Sequence, residues 1–246
     1  MRIVIAGGHG QIALRLTRQL AARGDEVVGL IRNPDHSSDV ESAGGSAAVL
    51  DLEHSVVEEV VPVLAGADAV VFAAGAGPGS GAARKDTVDR GAAVLLADAA
   101  ERAGVPRYLL ISSMGADRPD RAPDEVFGAY LRAKAASEAD LRGREALDWT
   151  ILRPGGLTDE PGTGRVRLEP STGRGQVPRD DVAAVLVALL DEPSTAGLTL
   201  ELISGDDLVD AAVQAAGRGE PGDASAHALE AEAHEDRHPQ GRHRAD

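Results

Sequence analysis

No cysteine occurs in the 246 residues, which removes disulfides, thiolate nucleophiles and Cys-ligated metal from the available chemistry. Aromatic side chains are scarce as well: two Phe, two Tyr and one Trp make up 2% of the chain. With 43% of residues hydrophobic a core of ordinary size is still available, but Ala, Val, Leu and Ile have to build it. Long apolar runs are missing. The N-terminal MRIVIAGGHG carries only a short one, below the length of a signal-peptide core, and no segment reaches the roughly 18 residues of a membrane span. A soluble, cytoplasmic protein without a membrane partner is expected. Positive charge is also in deficit, with 25 Lys and Arg against 40 Asp and Glu and a formal net charge of -15. Such a surface repels phosphate backbones and argues against nucleic acid as a partner. It leaves room for a nucleotide cofactor, which a small patch of backbone N–H groups can hold.

What is present is an alternation of short apolar runs and longer helical patterns. Arg2–Ala6, Glu26–Ile31, Ala47–Leu50, Asp68–Phe72, Arg107–Ile111 and Trp149–Leu152 read as strands, and Thr199–Ile203 as a later one. Between them Gln11–Arg23, Val56–Leu64, Thr87–Ala103, Glu125–Arg142 and Asp180–Leu190 read as helices. Strands apolar throughout and separated by helices imply a parallel sheet covered on both faces. The expected fold is α/β: a doubly wound Rossmann fold with a mostly parallel sheet and a small C-terminal extension on the substrate side. The domain is read as 1–216. From residue 217 to 246 Gly, Ala, Glu, His and Arg replace the periodic apolar residues, and a disordered polar tail is expected.

The segment Ala6-Gly7-Gly8-His9-Gly10-Gln11-Ile12-Ala13 lies between the first strand and the first helix and fits Gly-x-x-Gly-x-x-Ala. Gly7 permits the tight turn out of the strand, and Gly10 lets backbone approach a pyrophosphate at the helix N-terminus, where free N–H groups favour anions. Ala13 allows the helix to pack closely on the sheet. A dinucleotide site over Gly7–Ile12 follows. An NAD-preferring site places an acid at the end of the second strand for the ribose hydroxyls. Here Arg32 stands instead, and a guanidinium suits a 2′-phosphate, so NADP(H) is favoured over NAD(H). Asp51 and Leu52, after the third strand, are candidate neighbours of the adenine.

Tyr130 and Lys134 stand at i and i+4 on one helix face. A phenol with an ordinary pKa of about 10 needs a nearby cation to exchange protons near neutrality, and Lys134 supplies one while also reaching the nicotinamide ribose. Ser112 and Ser113 follow the fifth strand, at the sheet edge where ligands bind, and one of them would hold a substrate carbonyl oxygen. The sequence His234-Glu235-Asp236-Arg237-His238 matches a zinc-protease signature, but in a polar terminal segment that runs into Pro239 it lacks the helix that chemistry needs. No metal is expected. Asp159-Glu160 is left open between substrate contact and polar turn.

Gly-x-x-Gly-x-x-Ala, a Ser after the fifth strand and a Tyr-x-x-x-Lys helix together resemble the short-chain dehydrogenase/reductase superfamily. GGHGQIA, ISSMGAD, YLRAK and ILRPGGLTDEPGTG resemble more closely its atypical branch of small NAD(P)H-binding, NmrA-like or epimerase-like proteins, over about residues 1–205. The resemblance implies Tyr130 as acid/base, Lys134 as its cationic partner and Ser113 as the working serine. It also implies cofactor contacts by Ala73, Ala74 and Gly75 and by Pro154-Gly155-Gly156. An NADP(H)-dependent oxidoreductase acting on a small carbonyl, quinone or flavin-like substrate is the leading expectation. Its rival is a non-catalytic NADP(H) redox sensor. A nucleotide-sugar epimerase comes third, because full epimerases carry a longer C-terminal substrate region. Substrate identity and the choice between monomer and homodimer are left open.

Overall fold

The computed structural model describes residues 1–77 and 79–219. Eleven strands are seen in them. β1 (Arg2–Ala6), β2 (Glu26–Ile31), β3 (Ser46–Val49), β4 (Ala69–Phe72), β5 (Arg107–Ile111) and β6 (Asp148–Pro154) alternate with helices α1 (Gln11–Ala22), α2 (Ser37–Ser42), α3 (Val57–Leu64), α4 (Ala82–Arg84), α5 (Ala93–Ala103) and α6 (Glu125–Arg142). β7 (Gly156–Thr158), β8 (Arg165–Glu169), β9 (Gln176–Pro178), α7 (Arg179–Asp191), β10 (Leu198–Ser204), β11 (Asp207–Leu208) and α8 (Val209–Arg218) follow.

Nine strands form one sheet in the order β11-β8-β10-β6-β5-β4-β1-β2-β3. From β3 to β10 every neighbouring pair is parallel, while β8 at the far edge pairs antiparallel with both β10 and β11. The chain winds outward from β1 in both directions, so the order reverses between β1 and β4, and a crevice opens there above the C-terminal ends of the strands. β7 and β9 pair as a separate two-stranded ribbon.

Alternate strand residues supply two cores, as the period of a strand requires. Ile3, Ile5, Val71, Leu109 and Leu202 meet Leu16 and Leu20 of α1 and Val182, Val185, Leu186 and Leu189 of α7. Val4, Val28, Leu30, Val70 and Leu110 face the other way, toward Val60 and Leu64 of α3 and Leu96 and Ala100 of α5. The buried residues of both cores are aliphatic apart from Phe72 and Tyr108 on the second side, where Trp149 also packs, as the composition demanded.

The expected doubly wound architecture holds, and the antiparallel edge is the C-terminal extension. Three details differ from expectation. The helix read as Thr87–Ala103 begins at Ala82, and its Lys85–Ala92 stretch is π-helical, an extra-residue winding that periodicity does not reveal. Helix α8 continues through Arg218 and is capped by Gly219 at φ +72°, so the ordered chain extends past residue 216. The strands β7, β9 and β11 carry too few residues for an alternation to register, and β8, whose RVRLE does alternate, was not anticipated. The rest of the expected tail, including the His234–His238 motif, lies outside the described residues. Among those residues no helix is long and apolar enough to cross a membrane, and no cluster of His, Asp or Glu is arranged to hold a metal ion.

Candidate functional site

Two cavities meet at the switch point. The first, of about 270 Å³, is lined by the glycine loop, the ends of β2 and β3, and Ala73–Ala76 after β4. The second, of about 780 Å³, shares Gly10 and Ala73–Ala76 with the first and extends over β5 to α6 and the start of β7.

The glycine loop is shaped by contacts that leave no space for side chains. Gly7 has φ +78°, and a Cβ on it would lie 2.6 Å from Ala74 Cα. Gly8 is pressed against β2, where a Cβ would lie 2.6 Å from Gly29 Cα, and its N–H donates to the Leu30 carbonyl at 2.9 Å. Gly8 therefore fixes the loop to the sheet, behind the residues that line the two cavities. Gly10 is the N-cap of α1, which has neither a side-chain cap nor an acidic residue in its first turn. The leading amides of Gln11 and Ile12 are thereby left to an anion. This cradle fits the diphosphate of a dinucleotide. The Gln11 side chain turns away and accepts from Arg15, Ile12 lines the second cavity, and Ala13 is wholly buried. His9 lines the first cavity, stacks on His36 with ring centroids 3.6 Å apart and engages Asp39 at 2.8 Å.

Arg32, Asp51 and Leu52 all line the first cavity, as do Glu53 and Arg84. Glu53 was not anticipated. Its carboxylate accepts from Arg32 at 2.9 Å, from Arg84 at 2.5 Å and from the Thr87 hydroxyl at 2.8 Å. The Arg84 hydrogen bond foremost, then those of Thr87 and the charge of Arg32, hold its pKa down to about 2. Asp51 Oδ1 accepts the Glu53 N–H at 3.1 Å and braces this turn. Two guanidinium groups thus converge on one anion at the rim of the cavity. Nothing local betrays this, since Arg32 and Glu53 come from the loops after β2 and β3 and Arg84 from the end of α4.

The second cavity gathers Ser112, Ser113, Tyr130, Lys134 and Pro154. The two serines are not equivalent. Ser112 Oγ is buried and donates to Glu138 Oε1 at 2.5 Å, and Glu138 in turn accepts from Arg153 through Nε at 2.8 Å and Nη2 at 2.6 Å. This buried group ties α6 to β5 and β6, and Glu138 raises the Arg153 pKa against the opposing effect of burial. Ser113 Oγ reaches only the Met114 carbonyl, at 3.2 Å, and is the serine with a hydroxyl to offer. Lys134 donates to the Ile111 carbonyl at 3.0 Å and lies 5.8 Å from the Tyr130 ring centroid. Lys85 approaches the same ring at 5.3 Å. Phe127, at 5.6 Å from Tyr130, together with Val126 and Leu157, leaves apolar surface exposed at the cavity mouth. Gly155 lines this cavity, whereas Gly156 belongs to β7. Asp159 pairs with Arg15 and Arg179 on the surface.

Residues 7–193 match the family described as NAD(P)H-binding. The chain belongs to that NAD(P)H-binding family. Among curated proteins, this family member is 34% identical over 207 residues to the uncharacterized sugar epimerase YhfK of Bacillus subtilis, covering 84% of this chain and 95% of the relative. Among solved structures, one from Bacillus halodurans named as an NAD-dependent epimerase/dehydratase is 34% identical with a TM-score of 0.81, covering 87% and 99% of the two chains. The anaerobillin reductase ChuY of Escherichia coli O157:H7 is 26% identical with a TM-score of 0.71, covering 84% and 98%. The atypical short-chain dehydrogenase/reductase character of the sequence agrees with these matches.

Proposed function

We propose that this NAD(P)H-binding protein is an NADP(H)-dependent oxidoreductase that reduces a carbonyl, quinone or flavin-like acceptor. The supporting observation is that Tyr130, Lys134 and Ser113 line one cavity that opens directly onto the glycine loop. A bound dinucleotide supplies or accepts the hydride. The acceptor oxygen is held by Ser113 Oγ and receives the proton of Tyr130 Oη, which solvent then restores. Lys134 fixes the electrostatics around that phenol and holds the nicotinamide ribose. The apolar mouth formed by Val126, Phe127 and Leu157 excludes water and favours an acceptor with a flat, apolar body. Arg32 and Arg84 favour the phosphorylated dinucleotide, since a 2′-phosphate takes the place Glu53 holds between them.

The reductase named among the structural relatives fits this reading better than the epimerases do. An oxidoreductase needs only the proton donor and the hydride site, both of which this cavity supplies. The test is NADPH oxidation against a panel of quinones, flavins and aldehydes, with Tyr130→Phe in parallel. Turnover that falls at least about a hundredfold in the Phe protein is expected for loss of a general acid. A native protein that oxidises NADPH with none of these acceptors, or a Phe protein of equal rate, overturns the catalytic reading and leaves the dinucleotide sensor.

A further inference from the structure

The π-helical stretch between α4 and α5 turns Asp89 inward, where its side chain is completely buried. Asp89 Oδ2 accepts the Ala76 N–H at 3.2 Å. Oδ1, also buried, has no hydrogen-bond partner among the described residues, and it lies 3.3 Å from Lys134 Nζ. A carboxylate this deep is tolerated when a cation is paired with it, and the same holds for a buried ammonium. Lys134, with its side chain 4% exposed, otherwise meets neutral groups: the Ile111 carbonyl, the Phe72 ring at 5.5 Å and the Tyr130 ring.

The other charges nearby are engaged elsewhere. Glu138, one turn further along α6, is taken by Arg153, Arg142 and Ser112. Asp124 caps α6 through the Phe127 N–H. Lys85, on the other approach to Tyr130, donates to the Gly77 carbonyl. Asp89 is thus the anion placed against Lys134.

We propose that Asp89 is the buried counter-ion that keeps Lys134 charged and in place, and so acts as a positioning residue for proton delivery by Tyr130. The inference rests on the oxidoreductase reading for its catalytic consequence, but the ion pair itself can be tested without turnover. Asp89→Asn keeps the shape and the acceptor for Ala76 while removing the charge. The Lys134 ammonium, still buried, is then left facing neutral groups alone.

The chain contains two lysines, Lys85 and Lys134, so protein labelled with ¹³C-lysine gives two resolvable ε-carbon signals in NMR. The Lys134 signal is expected to titrate at lower pH in D89N while that of Lys85 keeps its native midpoint. With an active acceptor, the alkaline limb of the kcat profile moves in the same direction. A residue that only filled space would lower kcat without moving the limb. An unchanged Lys134 titration overturns the proposal. A native protein without turnover defeats the oxidoreductase reading alone, and the NMR result still decides the role of Asp89. Should D89N fail to fold, urea unfolding of Lys134→Met and of Lys134→Met/Asp89→Asn decides it. The double variant is expected to be the more stable, since it removes the stranded carboxylate, and a double variant no more stable than the single one refutes the pairing.

Discussion

Replacing Arg32 by Ala tests the cofactor preference most directly. Arg32 Nη1 lies 2.9 Å from Glu53 Oε2 and its side chain is 54% exposed. Charge-assisted hydrogen bonds contribute about 1.5–3 kcal/mol when well formed. Solvent around a half-exposed guanidinium reduces that figure, and the phosphate gains only what exceeds the existing contact with Glu53. Arg84 stays behind to hold part of the charge. These three effects bring the expected loss to about 1.4 kcal/mol, or about tenfold in Kd.

NADH carries no 2′-phosphate, so its affinity should change by less than about twofold. Titration calorimetry of both dinucleotides at one fixed ionic strength measures the difference, and the NADPH arm should weaken further as salt is raised. Glu53→Gln moves NADPH the other way, because the carboxylate that competes for Arg32 and Arg84 loses its charge. Equal losses of NADPH and NADH in Arg32→Ala refute the phosphate role, as does Glu53→Gln protein that binds NADPH more weakly than native.

Two further outcomes follow from buried or clamped charge. Glu53 has a folded pKa of about 2 against an ordinary 4.5, so its contribution to stability is complete above pH 4.5 and is lost as the pH falls toward 2. The urea midpoint of the native protein should therefore fall more steeply over that interval than that of Glu53→Gln, and parallel curves would count against the clamp. Glu138→Gln removes the buried carboxylate that pairs with Arg153 and leaves that cation only the longer contact with Asp117 at 3.8 Å, so the expected cost in urea unfolding lies below the roughly 3–5 kcal/mol of a wholly unpaired buried charge. Glu138→Leu combined with Arg153→Met should cost less than the single change, and a larger cost for the double variant contradicts the account.

The parts of the structure legible in the sequence are those fixed by local physics. β1, β2 and β5 are buried along nearly their whole length, and their boundaries coincide with the apolar runs that mark them. α6 begins where Asp124 caps it and ends before Gly143, as sequence signals for helix ends require. The Tyr130–Lys134 spacing needs nothing beyond a helix. Glu53 was invisible for the opposite reason: it becomes a clamp only when the loops after β2 and β3 meet the helix at Arg84, 31 residues away. Asp89 did leave a trace. It sits on the same inward face as Val88, Ala92, Ala93 and Leu96, and an acid on an apolar helical face signals a buried partner. The choice between Ser112 and Ser113, which rested on family resemblance, has a geometric reason in the Glu138 hydrogen bond that commits Ser112.

The distribution of basic residues carries the argument one step further. Arg supplies every basic side chain other than Lys85 and Lys134, and both lysines line the second cavity within 6 Å of the Tyr130 ring centroid. Arg suits the rim of the first cavity, where a planar, permanently charged fork grips an anion. Beside a phenol that must release and recover a proton, a compact ammonium serves better, because its charge responds to burial and to a neighbouring carboxylate. A surface ion pair would have no need of that distinction. Where this chain spends an ammonium instead of a guanidinium, it does so beside the Tyr130 ring, and Asp89 is the carboxylate placed against one of the two.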